Sequence, residues 1–174
     1  LDAVRHPGDV RRTHSQGCVV VQVLPEALNA RTLGRPAGQR EMRQLGLAIF
    51  DVDSLGAYND TYGRAGGDAC VRRTAHLIAA SFRRGSDLLG RWDGGGVIVL
   101  APGHDQDKLA AYAQLIAQRV RDQQVHHPRS AAKFVTVSVG VACCMPLRDQ
   151  PASLLVGAAE AALVRAKAAG RNQV

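Results

Sequence analysis

Aromatic residues are scarce in this chain, at 4% of its 174 residues. Proteins that bind single-stranded nucleic acid stack the bases on aromatic side chains, so this scarcity argues against a nucleic-acid partner. No apolar run approaches the roughly 20 residues of a membrane-spanning helix. The glycine-rich stretch GRAGGD lacks the Lys-Ser/Thr of a phosphate-binding P-loop. We therefore expect neither nucleic acid nor membrane to be the partner of this fragment.

The four cysteines show no C-x-x-C spacing, and they are Cys18, Cys70, Cys143 and Cys144. Two of them are adjacent in a predicted strand, which favours a reducing compartment over a disulfide scaffold. Adjacent His126 and His127, taken with the cysteine pair, fit no zinc spacing, so no metal site is expected. The chain begins at Leu1 without a signal-peptide pattern. We expect a cytoplasmic fragment of a longer protein.

The charge is strongly positive, with a formal net charge of +7 and a pI near 9.8. Such a balance favours an anionic partner such as a nucleotide. The arginines are scattered through predicted helices and loops, so an ordinary solvated basic surface fits the pattern as well as a binding patch does.

Hydrophobic periodicity predicts the element order β, α, α, β-hairpin, α, β, α, and hence an α+β fold with helices packed on a mostly antiparallel sheet. Residues 1–24 are predicted to be a linker or the tail of an upstream domain, with a possible strand at 18–24, and residues 25–174 one domain. The strand at 45–53 ends in Asp51 and Asp53, which share a side because alternate residues of a strand do. The strand at 134–142 alternates strictly, which predicts a long, half-buried strand with one buried face.

Glycines are predicted to end two helices. SLGAYNDTYG indicates a short helix closed by Gly63, with a longer helix following at about 67–83. The Ala-rich helix at about 151–169 ends at Gly170, where a helix-ending glycine is expected.

Several quoted segments together resemble the GGDEF domain of diguanylate cyclases, enzymes that make cyclic di-GMP from two GTP molecules. The segments are FDVDSLGAYNDTYGRAGGD (50–68), TVSVGVA (136–142) and AKAAGRN (166–172). They stand in the family's order and spacing, and the resemblance covers residues 45–174. It implies a nucleotidyl-cyclase palm-like (ferredoxin-like) fold, with a central five-stranded, mostly antiparallel sheet flanked by helices. A β-hairpin would carry the family's signature loop.

The signature loop falls at residues 93–97, where the chain reads Asp-Gly-Gly-Gly-Val. Of these five positions only Gly94 matches the family, and both acids are replaced, by Gly95 and Gly96. The resemblance implies a metal cage built from Asp51 and the acid now missing at Gly95. Gly56 stands where the family has a phosphate-facing lysine. We therefore expect no cyclase activity, no cofactor and no tight Mg²⁺ binding.

Other positions of the family's GTP site are kept. By resemblance, Asn59 and Asp68 contact guanine, and Lys167 and Arg171 contact phosphate. The alternative is that Asp68 caps a helix and Asn59 stabilises a turn, and the sequence does not separate the two.

The Arg-x-x-Asp formed by Arg84 and Asp87 matches the spacing of the family's inhibitory site for cyclic di-GMP. A guanidinium can donate to guanine O6 and N7, and a carboxylate can accept from N1 and N2. An arginine of the next helix completes that site in the family, and Arg119 is the match, with Arg121 as runner-up. The alternative is an exposed ion pair between residues three apart at a helix end.

These features predict a catalytically inactive GGDEF domain that serves as a cyclic di-GMP receptor, an effector of the PopA type. Its partners would be cyclic di-GMP and either a second copy of the chain or another protein. Two alternatives stay open. One is an interaction or dimerisation module without ligand, and the other is residual cyclase activity, for example as half of a heterodimeric active site.

Overall fold

The computed structural model describes residues 44–145 and 151–174. Their elements, in chain order, are β1 (Leu45–Val52), α1 (Leu55–Ser81), β2 (Leu88–Trp92), β3 (Gly96–Pro102), α2 (Gln106–Asp122), β4 (Val137–Cys144) and α3 (Ala152–Ala168). This confirms the predicted α+β order. None of these helices is long and apolar enough to span a membrane. The predicted strand at 18–24 lies outside the described residues.

The described strands form one sheet in the order β2-β3-β1-β4, with every neighbouring pair antiparallel. The expectation of five strands is therefore corrected to four within the described residues. The sequence places β1 at the centre because its residues are apolar on both faces, as a strand covered on both sides requires.

Two apolar layers cover the sheet. Alternate residues of β1, β3 and β4 face α1 and α2, and the opposite residues of β1 and β3 face α3. The four valines from Val135 to Val141 face α1 and α2 together, as predicted. However, the expectation that this strand is only half-buried was wrong, because Thr136 and Ser138 on its other face are also buried. At Gly140 the backbone of α3 packs directly onto β4, leaving no room for a side chain.

Helix α1 is interrupted at Gly63, whose φ of 75° is not helical. The prediction of a short helix closed by Gly63 and followed by a longer one is thus confirmed, although the two are nearly continuous. Asp68 lies inside the second stretch, five residues after the break. At the end of α3, Gly170 has a φ of 115°, which confirms its predicted place as a helix-ending glycine.

Candidate functional site

The β2–β3 hairpin holds the degenerate loop at its tip. Gly94 takes a φ of 37°, and the Gly96 N–H donates to the Asp93 carbonyl oxygen at 2.8 Å. Arg91 Nη2 donates to the Gly94 carbonyl oxygen at 2.9 Å, which fixes the turn from the strand side. The turn is therefore well formed without either acid.

Leu55 occupies the space where a side chain at Gly95 would begin. A Cβ at Gly95 would lie 2.5 Å from Leu55 Cδ2, and Gly95 itself is buried. A Cβ at Gly96 would lie 2.9 Å from the Trp92 carbonyl oxygen and 3.1 Å from its side chain. Leu55 and Trp92 thus fill the space that a side chain at Gly95 or Gly96 would need. Leu55 was not singled out in the sequence, and nothing there indicated that it would reach the loop.

Asp51 and Asp53 lie on the same side of the sheet end, as predicted, but they have different surroundings. The Asp51 carboxylate forms an ion pair with Lys167 Nζ of α3 at 2.5 Å, and both side chains are partly exposed. Asp51 is therefore paired with a side chain that the family resemblance assigns to phosphate.

Asp53 is buried and accepts three hydrogen bonds. Thr136 Oγ1 and Ser138 Oγ donate at 2.7 Å each, and the Asn172 backbone N–H donates at 3.1 Å. Its carboxylate thus ties the end of β1 to β4 and to the segment after α3. Both oxygens of the Asp53 carboxylate therefore accept hydrogen bonds from the protein itself, which gives Asp53 a structural role and not that of a metal ligand.

The residues at this corner do not fit the divalent metal of the cyclase reaction. Asp51 is the one partly exposed carboxylate of the expected cage, and its partner position, Gly95, has no donor atom. Within residues 44–145 and 151–174, no group of three or more His, Cys, Asp or Glu side chains is placed to hold a metal ion. His126 instead pairs with the Tyr62 hydroxyl at 2.9 Å, away from the cysteine pair.

The four retained GTP-site positions are spread over two regions. Asn59 packs against Gly67, where a Cβ would clash with the Asn59 side chain, and Asn59 Oδ1 is buried and accepts no hydrogen bond from the described residues. Asp68 is exposed on α1, so it caps no helix. Lys167 and Arg171 lie at the end of α3, and Arg171 is exposed with a φ of 65°.

Arg84 and Asp87 form a turn between α1 and β2. The Arg84 backbone N–H donates to Asp87 Oδ2 at 3.2 Å, and the Asp87 N–H donates to the Arg84 carbonyl oxygen at 3.0 Å. Asp87 Oδ1 is buried and accepts no hydrogen bond from the described residues. Burial raises the pKa of this carboxyl, and the Arg84 N–H and charge lower it by less.

The Arg84 guanidinium does not pair with Asp87; it donates from Nη1 to His104 Nε2 at 3.0 Å. The alternative for this site, an ion pair between the side chains of Arg84 and Asp87, therefore does not form. His104 was missed in the sequence, although a signal existed. A hairpin turning at 93–96 pairs Leu88 with Leu100, which brings the residues just before β2 close to those just after β3.

Arg119 lies on α2, about two turns after His104's neighbour Tyr112. The Tyr112 hydroxyl donates to the Ser81 carbonyl oxygen, and Arg73 donates to Gln123, so α2 runs antiparallel to α1. Arg119 is exposed and seven residues after Tyr112, about 10 Å along the helix away from the Arg84 end of α1. Arg121 is also exposed, about 200° around the helix from Arg119.

Several known proteins are similar to this chain in sequence. The chain matches the family model described as diguanylate cyclase, GGDEF domain, over residues 27–173. It is 34% identical over 131 residues to the response regulator PleD of Caulobacter vibrioides, covering 72% of this chain and 28% of PleD. It is 28% identical over 133 residues to the diguanylate cyclase DgcZ of Escherichia coli, covering 76% and 44%. The chain thus spans less than half the length of either relative.

Two solved structures are similar in fold and sequence. The GGDEF domain of DgcB from Caulobacter crescentus, in complex with c-di-GMP, aligns with a TM-score of 0.67 and 26% identity, covering 76% of this chain and 77% of that one. The diguanylate cyclase SiaD of Pseudomonas aeruginosa, in complex with its activator SiaC, aligns with a TM-score of 0.70 and 27% identity, covering 89% and 55%.

Proposed function

This chain belongs to the GGDEF family, and from that premise we propose that it is an inactive member which binds cyclic di-GMP in bacterial second-messenger signalling. The ligand site is the Arg84–Asp87 turn. One observation carries the proposal: the exposed Arg84 and the partly exposed Asp87 stand on the same turn, and the guanidinium is not used in an ion pair with that carboxylate. The domain would extend over residues 25–174, with residues 1–24 as a linker, and would act in the cytoplasm without a further cofactor.

The loss of cyclase activity follows from the loop. Joining two GTP molecules requires divalent metal to activate the attacking hydroxyl and to neutralise charge on the phosphates. Gly95 supplies no donor to such a metal, and Leu55 occupies the adjacent space. Asp51, the remaining acid of the expected cage, is held by Lys167.

Ligand binding follows from the chemistry of the turn. Arg84 can direct two N–H groups to O6 and N7 of guanine, while the partly exposed Asp87 carboxylate can accept from N1 and N2 on the opposite edge. The basic chain also suits the two phosphates. In this proposal a stacked pair of ligand molecules also contacts Arg119 on α2. The similar DgcB domain, whose structure contains c-di-GMP, supports this choice of ligand.

Product analysis tests the proposed inactivity. The chain is incubated with GTP and Mg²⁺ or Mn²⁺, and the nucleotides are separated by chromatography. We expect no cyclic di-GMP above the level of a heat-inactivated sample. Clear product formation would contradict the proposal and favour residual cyclase activity.

The second candidate is an interaction module of this fold, working as a homodimer or on another protein. The complex of the similar SiaD with its activator favours a protein partner for domains of this kind. An effector of the PopA type would combine both properties, since ligand binding would change protein contacts. Saturable binding of cyclic di-GMP separates the receptor from a module that binds no ligand.

A further inference from the structure

His104 follows β3 and contacts Arg84, which precedes β2, at the base of the β2–β3 hairpin. Its ring is half-buried, stands 3.0 Å from Arg84 Nη1 through Nε2, and lies parallel to Tyr112 with ring centroids 6.4 Å apart. The His104 carbonyl oxygen accepts a weak hydrogen bond from Cys143 Sγ at 3.6 Å. Both the backbone and the ring of His104 are therefore held by neighbours other than Arg84.

The direction of the hydrogen bond fixes the protonation state of His104. A guanidinium can only donate, so Nε2 must be the acceptor and the ring must be neutral, with its proton on Nδ1. Burial lowers the pKa of His104 below 6.5, and the Arg84 charge lowers it further. Among its other charged neighbours, Asp87 and Asp105 act in the opposite direction and Lys108 in the same one.

Arg84 is thereby fixed at two points. Its backbone N–H is bound to Asp87 Oδ2, and its guanidinium is bound to His104. An exposed arginine with neither contact would lose much rotamer freedom when it binds a ligand, and a group held in advance avoids part of that cost. One guanidinium N–H is used by His104, and the remaining donors of the fork stay available for a guanine edge.

We infer that His104 is a positioning residue of the cyclic di-GMP site, which holds the Arg84 guanidinium through neutral Nε2. The inference rests on the proposed function of the Arg84–Asp87 turn. Protonation of His104 removes the acceptor and places a second positive charge beside Arg84. Ligand affinity is therefore full above the pKa of His104 and falls as the pH drops through it.

Calorimetric titration with cyclic di-GMP tests the inference on the full 174-residue chain. At about pH 7.5, His104→Ala is expected to bind roughly tenfold more weakly than wild type. His104→Gln keeps an acceptor oxygen and is expected to bind within about twofold of wild type. His126→Gln is the matched control, because His126 is exposed and bonded to Tyr62, and it should leave the affinity unchanged.

The pH profile separates positioning from a general structural role. As the pH drops through the pKa of His104, wild type is expected to weaken towards His104→Ala, while His104→Gln keeps its advantage because glutamine does not titrate. Titration of Asp87 acts in the same direction in every variant, whereas titration of His104 is present in wild type alone. Equal pH profiles of wild type and His104→Gln would overturn the inference.

A measurement without ligand tests the contact itself. The pKa of His104, followed by NMR, is expected to rise in Arg84→Ala, because the donor and the repelling charge are both removed. An unchanged pKa would overturn the contact. If wild type binds, Arg84→Ala does not, and His104→Ala binds like wild type, the inference fails while the proposed function stands. If wild type itself does not bind, the proposed function fails and the inference fails with it.

Discussion

At the scale of single residues, the loop depends on the contact between Gly95 and Leu55. A Cβ at Gly95 would begin 2.5 Å from Leu55 Cδ2, so a restored acid requires Leu55 to move from the core. At Gly96 the obstacle is the backbone oxygen of Trp92, which cannot rotate away. Replacing two glycines by acids therefore restores the family's residue types without restoring the space that they need.

Gly95→Asp is expected to lower the free energy of unfolding by about 1–3 kcal/mol through this crowding. Gly56→Ala is the matched control, because a Cβ there meets nothing within 4 Å and Gly56 lies in the first turn of α1. It should raise the free energy of unfolding by up to about 1 kcal/mol. Urea unfolding measures both, and Gly95→Asp as stable as wild type would contradict the crowding.

Restoring acids at both Gly95 and Gly96 is not expected to give the turnover of an intact cyclase. Gly56 still lacks the phosphate-facing lysine that the family resemblance implies, and catalytic groups that act together do not add independently. The rate of cyclic di-GMP formation by the double variant measures this. Full turnover from that variant would show that the loop acids alone were missing.

Asp87 combines the proposed binding role with a cost in stability. Burial raises its pKa above 3.8, so folding favours the protonated carboxyl, and this contribution is lost as the pH rises through the folded-state pKa. Asp87→Asn should therefore be more stable than wild type at neutral pH and lose that advantage as the pH falls through the folded-state pKa of Asp87, where the carboxyl becomes protonated.

Thermal unfolding at several pH values measures this difference. Asp93→Asn, in the exposed hairpin turn, serves as the control and should match wild type throughout. A neutral-pH stability of Asp87→Asn below that of wild type would show that the carboxylate is well accommodated.

At the scale of elements, Asp53 connects the end of β1 to β4 and the C-terminal segment. The sequence places it on the same side of the strand as Asp51, the acid that the family resemblance assigns to the metal cage. Its three hydrogen bonds, two of them buried and one part-buried, give it a structural role instead. Helix α3 packs on the second face of β4, and Thr136 and Ser138 are buried on that face. They have the polarity of an exposed face, and their burial is tolerated because Asp53 accepts a hydrogen bond from each.

Asp53→Ala is expected to cost about 3–5 kcal/mol, since it leaves two buried donors and one part-buried donor without an acceptor. Asp51→Ala removes one partly exposed ion pair with Lys167 and should cost at most about 1 kcal/mol. The two variants are compared by urea unfolding. Similar losses for both would contradict the different roles assigned to these carboxylates.

At the scale of the whole molecule, the sequence predicts what depends on local pattern. The hairpin, the helix break at Gly63 and the glycine end of α3 follow from residues next to one another. The contact of Leu55 with Gly95 joins segments that are distant in sequence, and side chains decide it only after the sheet has brought those segments together, so local pattern could not give it. The contact of His104 with Arg84 is different, because the pairing of the predicted hairpin already brings those two positions close together.

Calorimetric titration of cyclic di-GMP into wild type, Arg84→Ala and Lys167→Ala tests the receptor function most directly. Wild type should show saturable binding at micromolar ligand. Arg84→Ala should lose about 1–3 kcal/mol, or roughly ten- to a hundredfold in affinity, because it removes a bidentate contact to guanine. Lys167→Ala, whose side chain pairs with Asp51, should change the affinity little. No saturable binding by wild type, or loss of binding in Lys167→Ala but not in Arg84→Ala, would contradict a receptor site at the Arg84–Asp87 turn.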